Sequence, residues 1–339
     1  MKHYLLIILI IICFIPLLGA FFIWEGIYLP KDANSQEEKI FIIERGEGTR
    51  EIALNLEKEG LIKSGPLFQL YTLWKGVSGN LQAGNYLLSP SMTIPEITKN
   101  LVSGEVIRIK ITIPEGFNLA EVIQELLESY PNSYRIKELK VNSFQEDFEF
   151  LKDAPPEANL EGFLFPDTYY FKKQETENKK QKIEEIVQKM LTNFDKKLTP
   201  DLKTEINRQN KTIFEIVIMA SLIEKEVKTF EDKKLVSGIL WKRLEAGIPL
   251  QVDATITYIT GKKTTKILKT ELQIDSPYNT YKYKGLPLGP ISNPGLESIL
   301  AAVYPEDSDY WYYLSTPEGE TIFSKALEEH NIAKAKYLK

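Results

Sequence analysis

The 339-residue sequence predicts an α+β protein: a single N-terminal transmembrane helix, a small α+β module, then a mixed α/β domain. Three observations carry this. Tyr4 to Trp24 holds no charge and matches the ~20 residues that cross a bilayer. A strand ending in a glycine turn, followed by an amphipathic helix, occurs twice, from Ile40 and from Ile109. Ile213 to Val227, IFEIVIMASLIEKEV, is apolar at nearly every helical phase, which describes a core helix.

The elements follow in order. Lys2 and His3 precede the apolar run and Glu25 follows it, placing 1–3 in the cytoplasm, 4–24 in the membrane and the rest outside. The alternative is a signal peptide cleaved near Leu18-Gly19-Ala20, but the run exceeds the ~7–15 residues of a signal core. Residues 25–39 form a polar linker, and 40–130 the first module. There Ile43, Gly46, Glu51 and Leu56 align with Ile113, Gly116, Glu121 and Leu126. In each copy glycine lets the strand turn into the helix. A strand over Leu81–Leu88 and a helix capped at Thr93 lie between the copies, and Asn118 with Glu121 forms a second capping pattern. Residues 131–159, with three prolines, read as a connector, and 160–339 as the second domain. Leu160–Phe171 is dense in aromatics, and its Gly162 and Pro166 predict an irregular buried segment. Amphipathic helices over Glu175–Leu198 and Asp232–Ala246 flank the core helix. Lys262–Thr270 is a charged loop. A hairpin pairs Tyr310–Leu314 with Thr321–Phe323, and a helix from Ser324 follows.

Composition narrows the chemistry. Cys13, inside the apolar run, is the single cysteine, and His3 and His330 are the two histidines. The remainder holds no disulfide, no thiolate and no zinc site of the usual types, and a Ser-His-Asp mechanism would have to use His330. No metal or cofactor is expected. A net charge of −5 without a basic stripe speaks against nucleic acid. Carboxylates, hydroxyls, amides and lysines are left.

Glu224 is the leading candidate. A carboxyl on a core helix is desolvated, which raises its pKa and suits it to general acid work. The competing reading makes Glu224, Lys225 and Glu226 the solvated end of the helix. Cleaving a glycosidic bond needs such a donor and commonly a second carboxylate. Asp253, on a turn between apolar residues, is the best second acid, and Glu161 and Asp167 are further candidates. For each, capping a turn or pairing with lysine is the structural alternative. Glu226 points to another face of the helix. Gln251 and Asn279 could hold a sugar amide or hydroxyl, or satisfy their own loops.

Several segments together resemble one family. Ala220-Ser-Leu-Ile-Glu-Lys-Glu-Val227 is similar to the central motif of the YceG-like family, the membrane-anchored endolytic murein transglycosylases. Leu160–Tyr169, Leu250–Thr255, Tyr278–Tyr281, Gly285–Ile291 and Ser292–Gly295 resemble further family segments, in the same order. Leu288, where the family usually has proline, and Val252, in place of a small residue, depart from the pattern. The resemblance implies cleavage between N-acetylmuramic acid and N-acetylglucosamine inside peptidoglycan strands. The muramic C6 hydroxyl closes on C1 to give a 1,6-anhydro end, and strand elongation is limited. It implies Glu224 as catalytic residue and a LysM-like, glycan-binding first module; Ser221, Gln251, Asp253, Asn279 and Tyr281 are the substrate-binding candidates. Implied partners are glycan strands, penicillin-binding synthases and the cytoplasmic membrane through one helix. The catalytic domain would lie outside that membrane. A hydrolytic muramidase and a non-catalytic peptidoglycan-binding scaffold are the competing functions.

Overall fold

The computed structural model describes residues 2–104, 108–130, 133–172, 179–262 and 267–338, without the side chains of 2–13, 15, 108, 172 and 179–182. Parts of the expected connector (131–132), of the helix from Glu175 (175–178) and of the charged loop (263–266) lie outside the described residues. So do the side chains of 4–13 and 15 in the expected membrane helix. The chain forms two compact units, Met1–Lys110 with Tyr170–Thr176, and Ile111–Tyr169 with Glu177–Lys339. Both mix helix and strand.

The first unit opens with α1 (Lys2–Tyr28). Here the expected transmembrane helix is corrected: among the described residues, no helix is long and apolar enough to cross a membrane. The described side chains of α1 begin at Phe14. From there to Trp24 the helix carries no charged residue. Past it, Glu25 pairs with Lys63 at 3.2 Å and Ile27 enters the unit's own core. That core is closed by β1 (Lys39–Ile43), α2 (Thr49–Lys58), α3 (Gly65–Trp74), β2 (Gly84–Leu88) and α4 (Ile94–Ser103). Strands β1 and β2 pair antiparallel, Phe41 opposite Tyr86, and both rings are fully buried. Thr93 and Glu96 form the capping box of α4.

Strand β3 (Arg108–Thr112) carries the chain from the first unit into the second. In the second unit, α5 (Leu119–Leu127) is capped reciprocally by Asn118 and Glu121. The two copies of the strand–helix pattern thus place their helices in different units. Residues 160–167 are irregular and largely buried, as Gly162 and Pro166 predict, before β4 (Thr168–Lys172) pairs with β3. Gly162 has φ +87°, and a Cβ there would lie 2.6 Å from Pro290 and 2.8 Å from Val217. Gly162→Ala is therefore expected to lower stability by about 1–3 kcal/mol, read as a drop in melting temperature.

Helices α6 (Lys179–Lys197), α7 (Pro200–Arg208), α8 (Ile213–Glu226), α9 (Phe230–Glu245), α10 (Asp253–Thr260) and α11 (Leu296–Val303) follow. At their centre is α8, against which α7, α9, α10 and α11 pack. Every residue from Ile216 to Ile223 is buried, which is why the sequence is apolar at all phases. The antiparallel hairpin of β5 (Tyr312–Ser315) and β6 (Thr321–Ser324) is covered by α12 (Leu327–Tyr337).

Candidate active site

The site lies in the second unit, at the C-terminal end of α8. A capping box of Thr212 and Glu215 starts this helix, and Val227, in extended conformation, ends it. Glu224 falls in the last turn, where the buried face gives way to the surface. Its side chain is 9% exposed. Three donors converge on it. Gly295, the N-cap of α11, donates its N–H to Oε2 at 2.9 Å, and Ser298, in the first turn, donates its hydroxyl to the same oxygen at 2.6 Å. The carboxylate thus sits at a helix N-terminus, where the dipole favours an anion. Lys233, in the first turn of α9, places Nζ 3.4 Å from Oε1 and is only 3% exposed.

A splice of three segments fixes this geometry. The hydroxyl of Ser221 accepts the N–H of Ile291 at 3.1 Å and donates to the carbonyl of Ile218 at 2.7 Å. Ser292 donates to the carbonyl of Ser221 at 3.1 Å. The N–H of Asn293 goes to the carbonyl of Phe117 at 2.8 Å, and its own carbonyl accepts the N–H of Gly116 at 2.9 Å. The Asn293 amide also reaches Phe117 O at 2.9 Å and accepts the N–H of Leu164 at 2.9 Å. Gly295 is therefore delivered to Glu224 by a loop bonded at both α8 and the 116–117 turn.

The other candidates take different places. Ser221 is fully buried and Asn279 nearly so. Asn279 donates to the carbonyls of Leu272 and Ile274 and accepts the N–H groups of Tyr281 and Lys282. Both side chains brace loops, and the Asn279 amide has its donors and acceptors occupied there. Gln251, Asp253 and Tyr281 gather instead around Arg243, which donates to Gln251 at 2.8 Å, while the Tyr281 hydroxyl bonds Asp253. Gln251 holds φ +55° without being glycine. The acid beside Asp253 is Glu226: burial first, then the Asp253 charge, push its carboxyl up to about 7, with the Tyr313 hydroxyl and the Ala254 N–H opposing. This second polar cluster stands on the same helix as Glu224.

Glu161 is buried and structural. It accepts the N–H of Leu119 at 2.9 and 3.0 Å, capping α5, and the Tyr258 hydroxyl at 3.2 Å. Burial pushes it up to about 8 despite those donors. Asp167 accepts from Thr168 N–H and the Asn193 amide. His330 is stacked on Tyr312 at 5.2 Å, and burial holds its pKa down to about 4.

Sequence reasoning missed Lys233, Ser298 and Gly295. Lys233 was detectable: it stands three before Val236 and seven before Leu240, on the apolar stripe of α9.

What the geometry defines is one carboxylate held by three donors at the edge of a helical core, a site of acid–base type. Residues 41–336 match the YceG-like family, and the chain belongs to it. It is similar to the endolytic murein transglycosylase of Bacillus subtilis strain 168, 34% identical over 334 residues that cover 94% of this chain and 90% of that one. It is also similar to the endolytic murein transglycosylase of Streptococcus pneumoniae D39, 34% identical over 332 residues, 89% of this chain and 59% of the pneumococcal protein. The chain thus spans about six-tenths of that longer relative. Among solved structures, a yceG-like protein from Listeria monocytogenes matches with a TM-score of 0.60 at 33% identity, over 88% of this chain and all of that one.

Proposed function

We propose that this chain is an endolytic lytic transglycosylase of peptidoglycan and that Glu224 carries the reaction. The observation that supports this reading is the Glu224 carboxylate itself, at a surface edge and gripped by Gly295, Ser298 and Lys233.

One carboxyl performs both proton transfers. Protonated Glu224 gives its proton to the glycosidic oxygen as the C1–O bond breaks, and the N-acetylglucosamine end leaves as an alcohol. The carboxylate that forms is the species that the three donors stabilise. It then takes the proton of the muramic C6 hydroxyl as that oxygen bonds to C1. The 1,6-anhydro ring closes and Glu224 returns to its protonated form, so no water is consumed and no second acid is obligatory. Gln251, Asp253 and Tyr281 are the reachable candidates for holding the strand. The first unit binds glycan in a LysM-like manner, and the enzyme works on the outer side of the cytoplasmic membrane, beside the synthases whose strands it limits.

The test is the mass of the products from intact peptidoglycan. Every new end is expected to be a 1,6-anhydro end, one water lighter than a reducing end. Reducing ends alone would replace this reading with a hydrolytic muramidase, and no cleavage at all with a binding scaffold.

A further inference from the structure

A strand must be held as well as cut, and the cluster around Arg243 is arranged for one chemical group. Arg243 is 7% exposed and fixed by backbone: its guanidinium donates to Pro249 O at 3.2 and 2.7 Å and to Trp311 O at 3.2 Å. A further N–H goes to Gln251 Oε1 at 2.8 Å. Arginine only donates, so this contact decides which way the Gln251 amide is turned. Its oxygen faces Arg243 and its NH2 faces away. Gln251 is exposed, and among the described residues none accepts from that NH2.

Two residues on, Asp253 is turned the opposite way. The Tyr281 hydroxyl donates to its Oδ1, while no described residue donates to Oδ2. The two segments are stitched together. Gln251 gives its N–H to Thr280 O at 3.1 Å, and Val252 gives its own to the Thr280 hydroxyl at 3.0 Å. Asn279 braces the same loop by accepting the Tyr281 N–H at 3.0 Å. Gln251 is held at φ +55°, where glycine would sit without strain. A side chain is thus retained against the backbone's preference, as happens where its chemistry is used. The cluster presents one oriented NH2 donor and one oriented carboxylate acceptor on exposed residues.

We propose that Gln251 and Asp253 form a subsite for a secondary amide of the substrate: the Gln251 NH2 donates to the amide carbonyl, and Asp253 Oδ2 accepts the amide N–H. Arg243 and Tyr281 are the positioning residues that fix this polarity. An amide carries an acceptor and a donor in one rigid plane, the complement of this pair. A single hydroxyl turns to suit either polarity and would not require the Gln251 amide to be fixed. The inference rests on the reading of the substrate as peptidoglycan, whose secondary amides are of two kinds. They are the acetamido groups of its sugars and the peptide bonds of its stems.

The test uses the full chain on three kinds of glycan strand: intact, stripped of stem peptides, and N-deacetylated. Both kcat/KM and the Kd for each strand are measured, so a chain that binds without cutting is still read. Gln251→Glu keeps an oxygen for Arg243 and replaces the outward NH2 by a second oxygen, which repels a carbonyl. It should lose roughly tenfold on intact strands. Asp253→Asn puts a donor where an acceptor is needed and should lose a similar factor. The ratio of native to variant should fall to near one on strands that lack the recognised amide, and only there. Collapse of the ratio on N-deacetylated strands assigns the acetamido group, and collapse on stripped strands a stem peptide bond. Tyr281→Phe should lose less, with the same dependence on strand. Gln251→Gly relieves the backbone, so it should lose as Gln251→Glu does while keeping the native melting temperature. A ratio of one on intact strands overturns the proposal, and so does a loss of equal size on all three. If the native chain cuts nothing while the Kd ratios keep their dependence on strand, the transglycosylase reading has failed and the amide subsite stands.

Discussion

Replacing Glu224 by glutamine is expected to reduce glycan cleavage by about 10³-fold or more, and also to destabilise the protein. The first effect follows from losing the group that exchanges the proton in the proposed reaction. The second follows from Lys233. Its side chain is 3% exposed and its ammonium pairs with Glu224. A glutamine removes the anion paired with that buried charge, and breaking a buried pair on one side costs about 3–5 kcal/mol. The substitution usually chosen as structurally silent is therefore not silent here. Lys233→Met in the same chain should recover most of the lost melting temperature while restoring no activity. Measuring both variants separates the roles. Activity retained in Glu224→Gln would remove this residue from the mechanism, and a native melting temperature would show that Lys233 does not depend on it.

The protein is also expected to lose stability as pH rises. Burial takes the Glu161 carboxyl from its ordinary 4.5 to about 8. Between those values the folded chain keeps a proton that the unfolded chain has already released. Stability is then greatest below about 4.5 as far as this group is concerned, declines through the window, and levels off above about 8. Glu226, raised to about 7, adds to the decline over the lower part of the window. The total effect is on the order of a few kcal/mol. Melting temperatures from pH 5 to pH 8.5 should slope downward in the native chain and much less in Glu161→Gln. Parallel slopes would show that Glu161 does not hold its proton across that range.

Much of this was legible in the chain itself. Core helix α8 was announced by apolar residues at every phase, and its end fixed Glu224. Caps at Thr93 and Asn118 are local chemistry, readable from three or four residues, and the β5–β6 hairpin showed in its turn. What the sequence did not disclose depends on distant segments meeting. The place of Lys233 on the apolar stripe of α9 is legible, but its partner is not until α8 and α11 close over it, and Leu235 stays half-buried while Lys233 takes the inner position. Gly295 and Ser298 follow the acid they hold by 71 and 74 residues. Ser221 and Asn279 looked like ligands for a sugar because polar groups among apolar ones invite that reading. In the fold, the same polarity satisfies loop backbone that would otherwise be buried unpaired.

The splice around Asn293 has a consequence for the making of the protein. A ribosome delivers Glu224 and then Lys233, and only much later the segment that completes their surroundings. Until residues 295–298 have emerged, the carboxylate has neither its backbone donor nor its hydroxyl donor. Contacts so far apart in sequence also form slowly, because long loops must close before they are rewarded. Cutting ability thus arrives near the end of synthesis, as a property of an almost finished second unit, and a prematurely terminated chain carries the acid without the means to use it.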